Sequence, residues 1–290
     1  MSTTEKQGLR KCSTLSEAEI EEITQLTRLC NEQDSLHMRI PLDALRQRSG
    51  NEIDDFLYYE QGALVGYLYV DSWGHKEKEF TGMVAPALRR RGIFRQLFEA
   101  ARAECKTRGV ECMILVCEHS SHAGHVFAKT IKAHHDFSEH EMVLDNFIER
   151  QVFDPQFHMR PAMPDDKDAL VSIMATDVEE EADAHQLVEE FYKDNSQQLF
   201  LATLDGKPLG CLRLDYRSEA VGIYGFVIRP EYRGRGYGRQ MLEYTIRRIY
   251  DEAPRTIMLE VDTDNLNAIG LYGSCGFHTR TTYDYFNCDL

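Results

Sequence analysis

The strongest constraint on this chain is that it spells out one succession of elements twice. From about Phe157 a short strand (157–161) is followed by two helical stretches (166–175 and 182–193) and then by a run of strands. Leu199 to Leu204 and Pro208 to Tyr216 flank Asp205-Gly206-Lys207, an Asp-Gly hairpin signal. Leu212 and Leu214 alternate there with Arg213 and Asp215, so the hairpin is expected to keep one wet face. Val221 to Ile228 reads as a further strand that runs through Arg229-Pro230-Glu231-Tyr232 into Arg233-Gly234-Arg235-Gly236-Tyr237-Gly238. Beyond that turn Leu242, Ile246, Ile249 and Tyr250 recur at helical spacing. A buried strand (256–261), a short helix (268–274) and a strand rich in Thr, Tyr and Phe (277–288) complete the pattern.

The first half repeats it. Phe56 to Glu60, a Gln61-Gly62 turn and Leu64 to Tyr69 form the hairpin. Phe80 to Ala85 leads to Arg89-Arg90-Arg91-Gly92-Ile93-Phe94 and a helix striped by Phe94, Leu97, Phe98, Ala101 and Cys105. The strand 112–117, the segment 120–132 and the strand 137–144 follow in the same order. A chain of 290 residues is long for one domain, so two tandem copies of one α+β unit are expected, 1–150 and 151–290, joined near 146–156.

Composition removes several classes of function. With 42% hydrophobic and 28% charged residues the chain falls among ordinary globular proteins. It has no apolar run of the roughly 18 residues a membrane span requires, and residues 1–11 lack the apolar stretch of a signal peptide. The 8 cysteines are scattered with no C-x-x-C pair, which points to reduced thiols and a cytoplasmic location. A net charge of −15 repels nucleic acid and anionic membranes and favours a cationic partner. His119, His122, His125, His134, His135 and His140 crowd one segment. Their spacing drifts round a helix and lacks tight Cys/His pairing, so they read as surface or internally satisfied histidines and no metal site is assigned.

A glycine-rich turn between a strand and a helix exposes several backbone N–H groups in a concave nest, backed by the positive end of the helix dipole, and suits a diphosphate. Arg233 to Gly238 is such a turn, and its spacing resembles the Q/R-x-x-G-x-G/A motif of the GNAT superfamily of N-acetyltransferases. The resemblance continues through Asn265-Leu266-Asn267-Ala268-Ile269-Gly270-Leu271-Tyr272 and Gly276-Phe277, and covers most of 157–290. It implies a tandem pair of GNAT folds, each a mixed, mostly antiparallel sheet flanked by helices, an arrangement similar to that of mycothiol synthase. It implies acetyl-CoA as cosubstrate, with the pantetheine arm beside Phe226, Val227 and Ile228 on a splayed fourth strand. The pyrophosphate is then expected on the amides of Arg233, Gly234, Arg235, Gly236, Tyr237 and Gly238. Asn265 would reach the pantetheine or act only as a helix N-cap.

Acetyl transfer to an amine requires a neutral amine, a polarised thioester carbonyl and a proton for the departing thiolate. Tyr272, at the family's tyrosine position, is the expected general acid, because a phenol of pKa about 10 is protonated at neutral pH. An amide within 226–228 is expected to stabilise the oxyanion. Glu219 is the favoured general base, with Asp215 and a relaying water as rivals, although exposed hairpin carboxylates are usually just solvated. Seven acids between Asp177 and Glu190, without a lysine or arginine among them, form a solvated face or a recruiting wall for a small cationic acceptor.

The first copy departs from the motif. Phe94 stands where glycine or alanine is required, and, aligned with the second copy, Ser120 stands at the Asn265 position, Ala123 at Ala268 and Phe127 at Tyr272. A degenerate copy is expected, serving as a structural partner, a cleft wall or an extra coenzyme A site. The leading expectation is an acetyl-CoA-dependent N-acetyltransferase for a small, cationic primary amine, with a working C-terminal copy. Acetylation of a protein or peptide amine, and a sensor that binds acetyl-CoA without turnover, are the alternatives.

Overall fold

The computed structural model describes residues 6–71, 76–150, 153–176, 181–193, 196–216, 220–253 and 255–290. In chain order its elements are β1 (Gly8–Cys12), α1 (Glu17–Asp34), α2 (Leu42–Arg46), β2 (Asp55–Glu60), β3 (Ala63–Val70), β4 (Glu77–Val84), α3 (Ile93–Thr107), β5 (Cys112–Glu118), α4 (His122–Thr130) and β6 (His134–Leu144). Then come β7 (Phe157–Pro161), α5 (Lys167–Met174), α6 (Glu181–Lys193), β8 (Gln197–Leu204), β9 (Lys207–Asp215), β10 (Val221–Ile228), α7 (Tyr237–Glu252), β11 (Ile257–Asp262), α8 (Leu266–Cys275) and β12 (Phe277–Asp289). The repeat read from the sequence is present element for element from β2 and from β8 onward.

Contacts divide the chain into one unit of residues 1–139 with 281–290 and another of 140–280. This corrects the single cut at 150. The cause is a ladder: residues 283–289 of β12 run antiparallel to β5, from Tyr283 opposite Glu118 to Asp289 opposite Cys112. Phe286 and Cys288 are thereby buried in the first unit's core. Conversely, Met142 and Leu144 at the end of β6 belong to the core of the second unit. Each unit takes its last strand from the other half of the chain.

In the first unit the strands run β1-β2-β3-β4-β5-β12, all neighbours antiparallel except β4 and β5. In the second, β7-β8-β9-β10-β11 repeats this, with β10 and β11 the parallel pair. Helices cover both faces. Phe200 and Ala202 of β8 face the core shared with α7 and α8, while Leu199 and Leu201 face α5 and α6, as the period of two along a strand requires. The wet face expected of the hairpin is therefore covered. Asp215 is buried, and Arg213 lies over the rings of Phe191 and Tyr224 and donates to Gln197 Oε1 at 2.7 Å. On α7 the residues Leu242, Ile246 and Ile249 are fully buried as their spacing predicts, each worth about 1.5–3 kcal/mol of transfer free energy, whereas Tyr250 stays exposed.

The first 50 residues hold β1, α1 and α2. A signal for α1 was present: Ser16 and Glu19 form a capping box ahead of Ile20, Ile23 and Leu26, all buried. All eight cysteines are free thiols. Among the described residues no helix is long and apolar enough to cross a membrane.

Candidate active site

The parallel ladder between β10 and β11 is short. It pairs Val221 with Ile257, Gly222 with Met258 and Ile223 with Leu259, and there it ends. Beyond it, the register of β10 against β9 shifts between Tyr224 and Val227, a bulge in which Gly225 takes φ +55°. An extra residue on one strand bends it and re-aims its polar groups, and the left-handed backbone at the bulge suits glycine. The Arg229 amide donates to Leu209 O at 2.9 Å on the β9 side. Alternation along an antiparallel ladder then turns the amides of Phe226 and Ile228 toward the side from which β11 has departed. On that side the Ile228 carbonyl accepts from Arg233 Nε at 2.7 Å, which braces the following turn.

In that turn Gly234 has φ +73° and Gly236, the N-cap of α7, has φ +86°. A Cβ built on either meets no atom within 4 Å, so the backbone faces open space. Gly236 offers no side-chain cap, and the first intrahelical bond runs from the Gln240 amide to Gly236 O, leaving the Tyr237, Gly238 and Arg239 amides without helical partners. Arg235 is exposed beside them. Gly238 sits close under the neighbouring helix: its Cβ would stand 3.3 Å from Leu271 Cδ2 and 3.8 Å from the Phe226 ring. Tyr237 points away and donates to Asp154 Oδ2 at 3.1 Å. Desolvation and that carboxylate raise its phenol above the usual value and keep it protonated. An anion such as a diphosphate fits this geometry: bare amides at a helix start, positive charge nearby and no side chain in front.

Tyr272 is brought to the same place. It is 6% exposed, its ring edge-on to Phe226 with centroids 6.0 Å apart and tilted against Phe277 at 6.1 Å. Asn265 caps α8, its Oδ1 accepting from the Ala268 amide at 3.1 Å, so the N-cap role is present. Glu219 lies outside the described residues, as do Asp177, Glu179 and Glu180. Of the acidic run, Glu189 is paired with Lys167 of α5 at 2.6 Å, which holds its carboxyl below the usual range. Asp215, the rival base, is buried beside Arg213 at 3.9 Å rather than solvated on the hairpin. The Gly225 bulge escaped the sequence reading, although an isolated glycine inside a strand pattern is the usual sign of one.

The first copy keeps the frame and lacks the bulge. Arg89 Nε bonds Val84 O at 3.0 Å and Gly92, φ +81°, is the N-cap of α3, matching Arg233 and Gly236. Its β3–β4 ladder, however, runs from Gly66 opposite Val84 to Val70 opposite Phe80 without a register shift, so the bulge is missing. Glycine and phenylalanine have exchanged places. The second copy has Phe226 on the strand and Gly238 on the helix; the first has Gly82 on the strand and Phe94 on the helix. The Phe94 ring lies 3.0 Å from where a Gly82 Cβ would be and packs edge-on to Phe127 at 4.6 Å. It fills space between β4 and α4 where Gly238 places no side chain. Cap geometry also moves the alignment by one residue: Ser121, accepting from the Gly124 amide, matches Asn265, and Ala128 rather than Phe127 matches Tyr272. Neither residue carries an acidic proton.

Comparison with known proteins decides the family. The model of the acetyltransferase (GNAT) family matches twice, at residues 20–130 and 167–277, together most of the chain. The chain belongs to the GNAT acetyltransferase family. It is a tandem GNAT protein, and as a family member an acetyltransferase. Its fold is similar along 97% of its length to a GCN5-related N-acetyltransferase from Sphaerobacter thermophilus (TM-score 0.80, 17% identity, 95% of that chain). It is similar over the same share to a tandem GNAT protein from the clavulanic acid biosynthesis pathway (TM-score 0.70, 16% identity, 98% of that chain). In sequence it is 28% identical over 107 residues to the ribosomal protein bS18-alanine N-acetyltransferase of Escherichia coli K12, a match covering 36% of this chain and 72% of that protein. It is 39% identical over 68 residues to the mycothiol acetyltransferase of Streptomyces bingchenggensis, covering 23% of this chain and 22% of that protein.

Proposed function

We propose that this tandem GNAT protein transfers the acetyl group of acetyl-CoA to a primary amine of a small, cationic acceptor, using the site within residues 140–280 alone. The observation that carries this reading is that a bulged strand, an open glycine turn and a buried tyrosine converge in the second copy, whereas the first has a strand without the bulge, a phenylalanine at the Gly238 position and no tyrosine at the Tyr272 position. The amides from Arg233 to Gly238 hold the pyrophosphate, and Phe226, Val227 and Ile228 flank the pantetheine. The Phe226 or Ile228 amide stabilises the carbonyl oxygen as it gains charge. The amine nitrogen bonds to the acetyl carbon, the carbon–sulfur bond breaks, and Tyr272 gives its proton to the departing thiolate. Glu219, or a water it orders, takes the proton lost by the amine. Asn265 keeps its cap and directs its amide nitrogen at the pantetheine. Holding both reactants in one cleft supplies much of the rate.

The net charge of −15 and the acidic segment 177–190 favour a cationic acceptor, in a reducing cytoplasm suited to eight free thiols. A peptide or protein N-terminal amine is the second reading, favoured by the similarity to the bS18-alanine N-acetyltransferase. Thiol release from acetyl-CoA, measured against polyamines, aminoglycosides and short peptides, separates the two. Release with small polyamines that falls in Tyr272→Phe supports the first reading, and release with peptides alone replaces it by the second. Tight coenzyme binding without release toward any amine makes the protein a sensor and defeats both.

A further inference from the structure

Asp284 on β12 is 2% exposed, and burying a carboxylate is costly unless positive charge or several hydrogen bonds meet it. Among the described residues its ion-pair partners are all histidines. His119, on the turn after β5, places Nδ1 at 2.9 Å from Oδ2 and 3.1 Å from Oδ1. His125, in the first turn of α4, places Nε2 at 3.1 Å from the same Oδ2 and 3.0 Å from the His119 carbonyl. Ser138 of β6 donates to Oδ1 at 2.6 Å and meets His135 Nε2 at 2.9 Å, and that ring nitrogen lies 4.0 Å from Oδ1. Edge-on packing against Phe286, at 5.5 Å for His125 and 5.4 Å for His135, fixes two of the rings.

We propose that His119, His125 and Asp284 form a binding site for one divalent transition cation of the zinc class, with His135 able to move in as a fourth ligand. The donor atoms of the three residues lie within 4.8 Å of one another. Ligands at about 2.0–2.2 Å from a tetrahedral zinc are about 3.3 Å apart, close to the nitrogen–oxygen separations present here. Two imidazoles and a carboxylate suit zinc, copper, nickel or cobalt better than magnesium or calcium. The Ser138 hydroxyl supplies the outer hydrogen bond that orients a ligating carboxylate, and the largely exposed His119 ring leaves a path of entry. The ring spacing in the sequence argued against a metal because it concealed the organising residue: Asp284 comes from the last strand, while His122, His134 and His140 take no part in the three-residue cluster. A cation here ties the β5–α4 turn to the C-terminal strand, within the unit that lacks the proposed transfer machinery.

The test uses the full chain without a histidine tag, stripped with EDTA. Zinc chloride is titrated by calorimetry, and cobalt chloride by visible absorption. One Zn²⁺ per chain and a higher Tm are expected. His119→Gln, a change at an exposed ring that leaves folding intact, weakens binding at least about tenfold, while His134→Gln leaves it unchanged. Asp284→Asn abolishes the site, and His119→Gln decides the matter if that variant does not fold. Binding weaker than about 100 μM in the parent chain, or equal affinity in His119→Gln, overturns the proposal.

Discussion

Gly236→Glu and Gly92→Glu form a matched pair that separates backbone strain from coenzyme binding. Both glycines are helix N-caps in the left-handed region, at φ +86° and +81°, and a Cβ on either meets nothing within 4 Å. The steric cost is therefore the left-handed penalty alone, about 1–2 kcal/mol in each case. For units of this size that is a fall in Tm of roughly 2–8 °C, equal within error for the two variants. The effect on binding differs. At Gly236 a carboxylate about 5 Å from a diphosphate carrying about two negative charges costs ~1.7 kcal/mol even at the dielectric of water, a 15- to 20-fold loss, and more as the site dries. Calorimetric titration with acetyl-CoA is expected to show at least that loss in Gly236→Glu and none in Gly92→Glu. Equal losses in both, or unchanged affinity in Gly236→Glu, would refute the assignment of the working nest to the second copy.

Tyr272→Phe keeps the ring contacts with Phe226 and Phe277 and removes the acid, so kcat should fall about 100-fold or more with little change in KM or Tm, as read by thiol release. Deleting 281–290 removes Phe286 and Cys288 from the first unit's core together with the β12–β5 ladder; a loss of at least about 3 kcal/mol is expected, seen as a lower denaturation midpoint of that unit. For the same reason a fragment of 1–150 should not give a cooperative transition. Burial acts to raise the Glu19 carboxyl, but the Ser16 amide and hydroxyl, with Arg10 and Lys6, outweigh it and hold the pKa below its ordinary 4.5. Its stabilising contribution is present above that value and is lost as pH falls through the lower folded one. Ser16→Ala should cost about 1 kcal/mol at neutral pH and flatten that acid-side decline in urea titrations.

Much of the fold was legible because the same physics is written twice. The hairpins, the strand before each arginine-glycine turn and the stripe of α7 follow from period and turn chemistry, and Gly234 and Gly236 lie in the turn between strand and helix. What escaped depends on partners distant in sequence. That β12 pairs with β5 cannot be read from residues 277–288, and it moves the division of the chain to 139/140 and 280/281. Asp215 alternates as a solvated residue should, yet that face of the sheet is covered by helix, and Arg213 lies over Phe191 of α6. The six histidines resembled surface residues until Asp284 gathered three of them. Two signals were readable and went unused: the Ser16–Glu19 box that starts α1, and the glycine within Tyr224-Gly225-Phe226 that marks the bulge.

The most direct measurement is a crystal structure of the full chain grown with acetyl-CoA. One coenzyme per chain is expected, its diphosphate on the amides between Arg233 and Gly238 and its sulfur within reach of the Tyr272 hydroxyl, with the turn from Arg89 to Phe94 empty. A coenzyme seated on that first turn, or one in the second copy whose sulfur lies far from Tyr272, would contradict the assignment of transfer to residues 140–280.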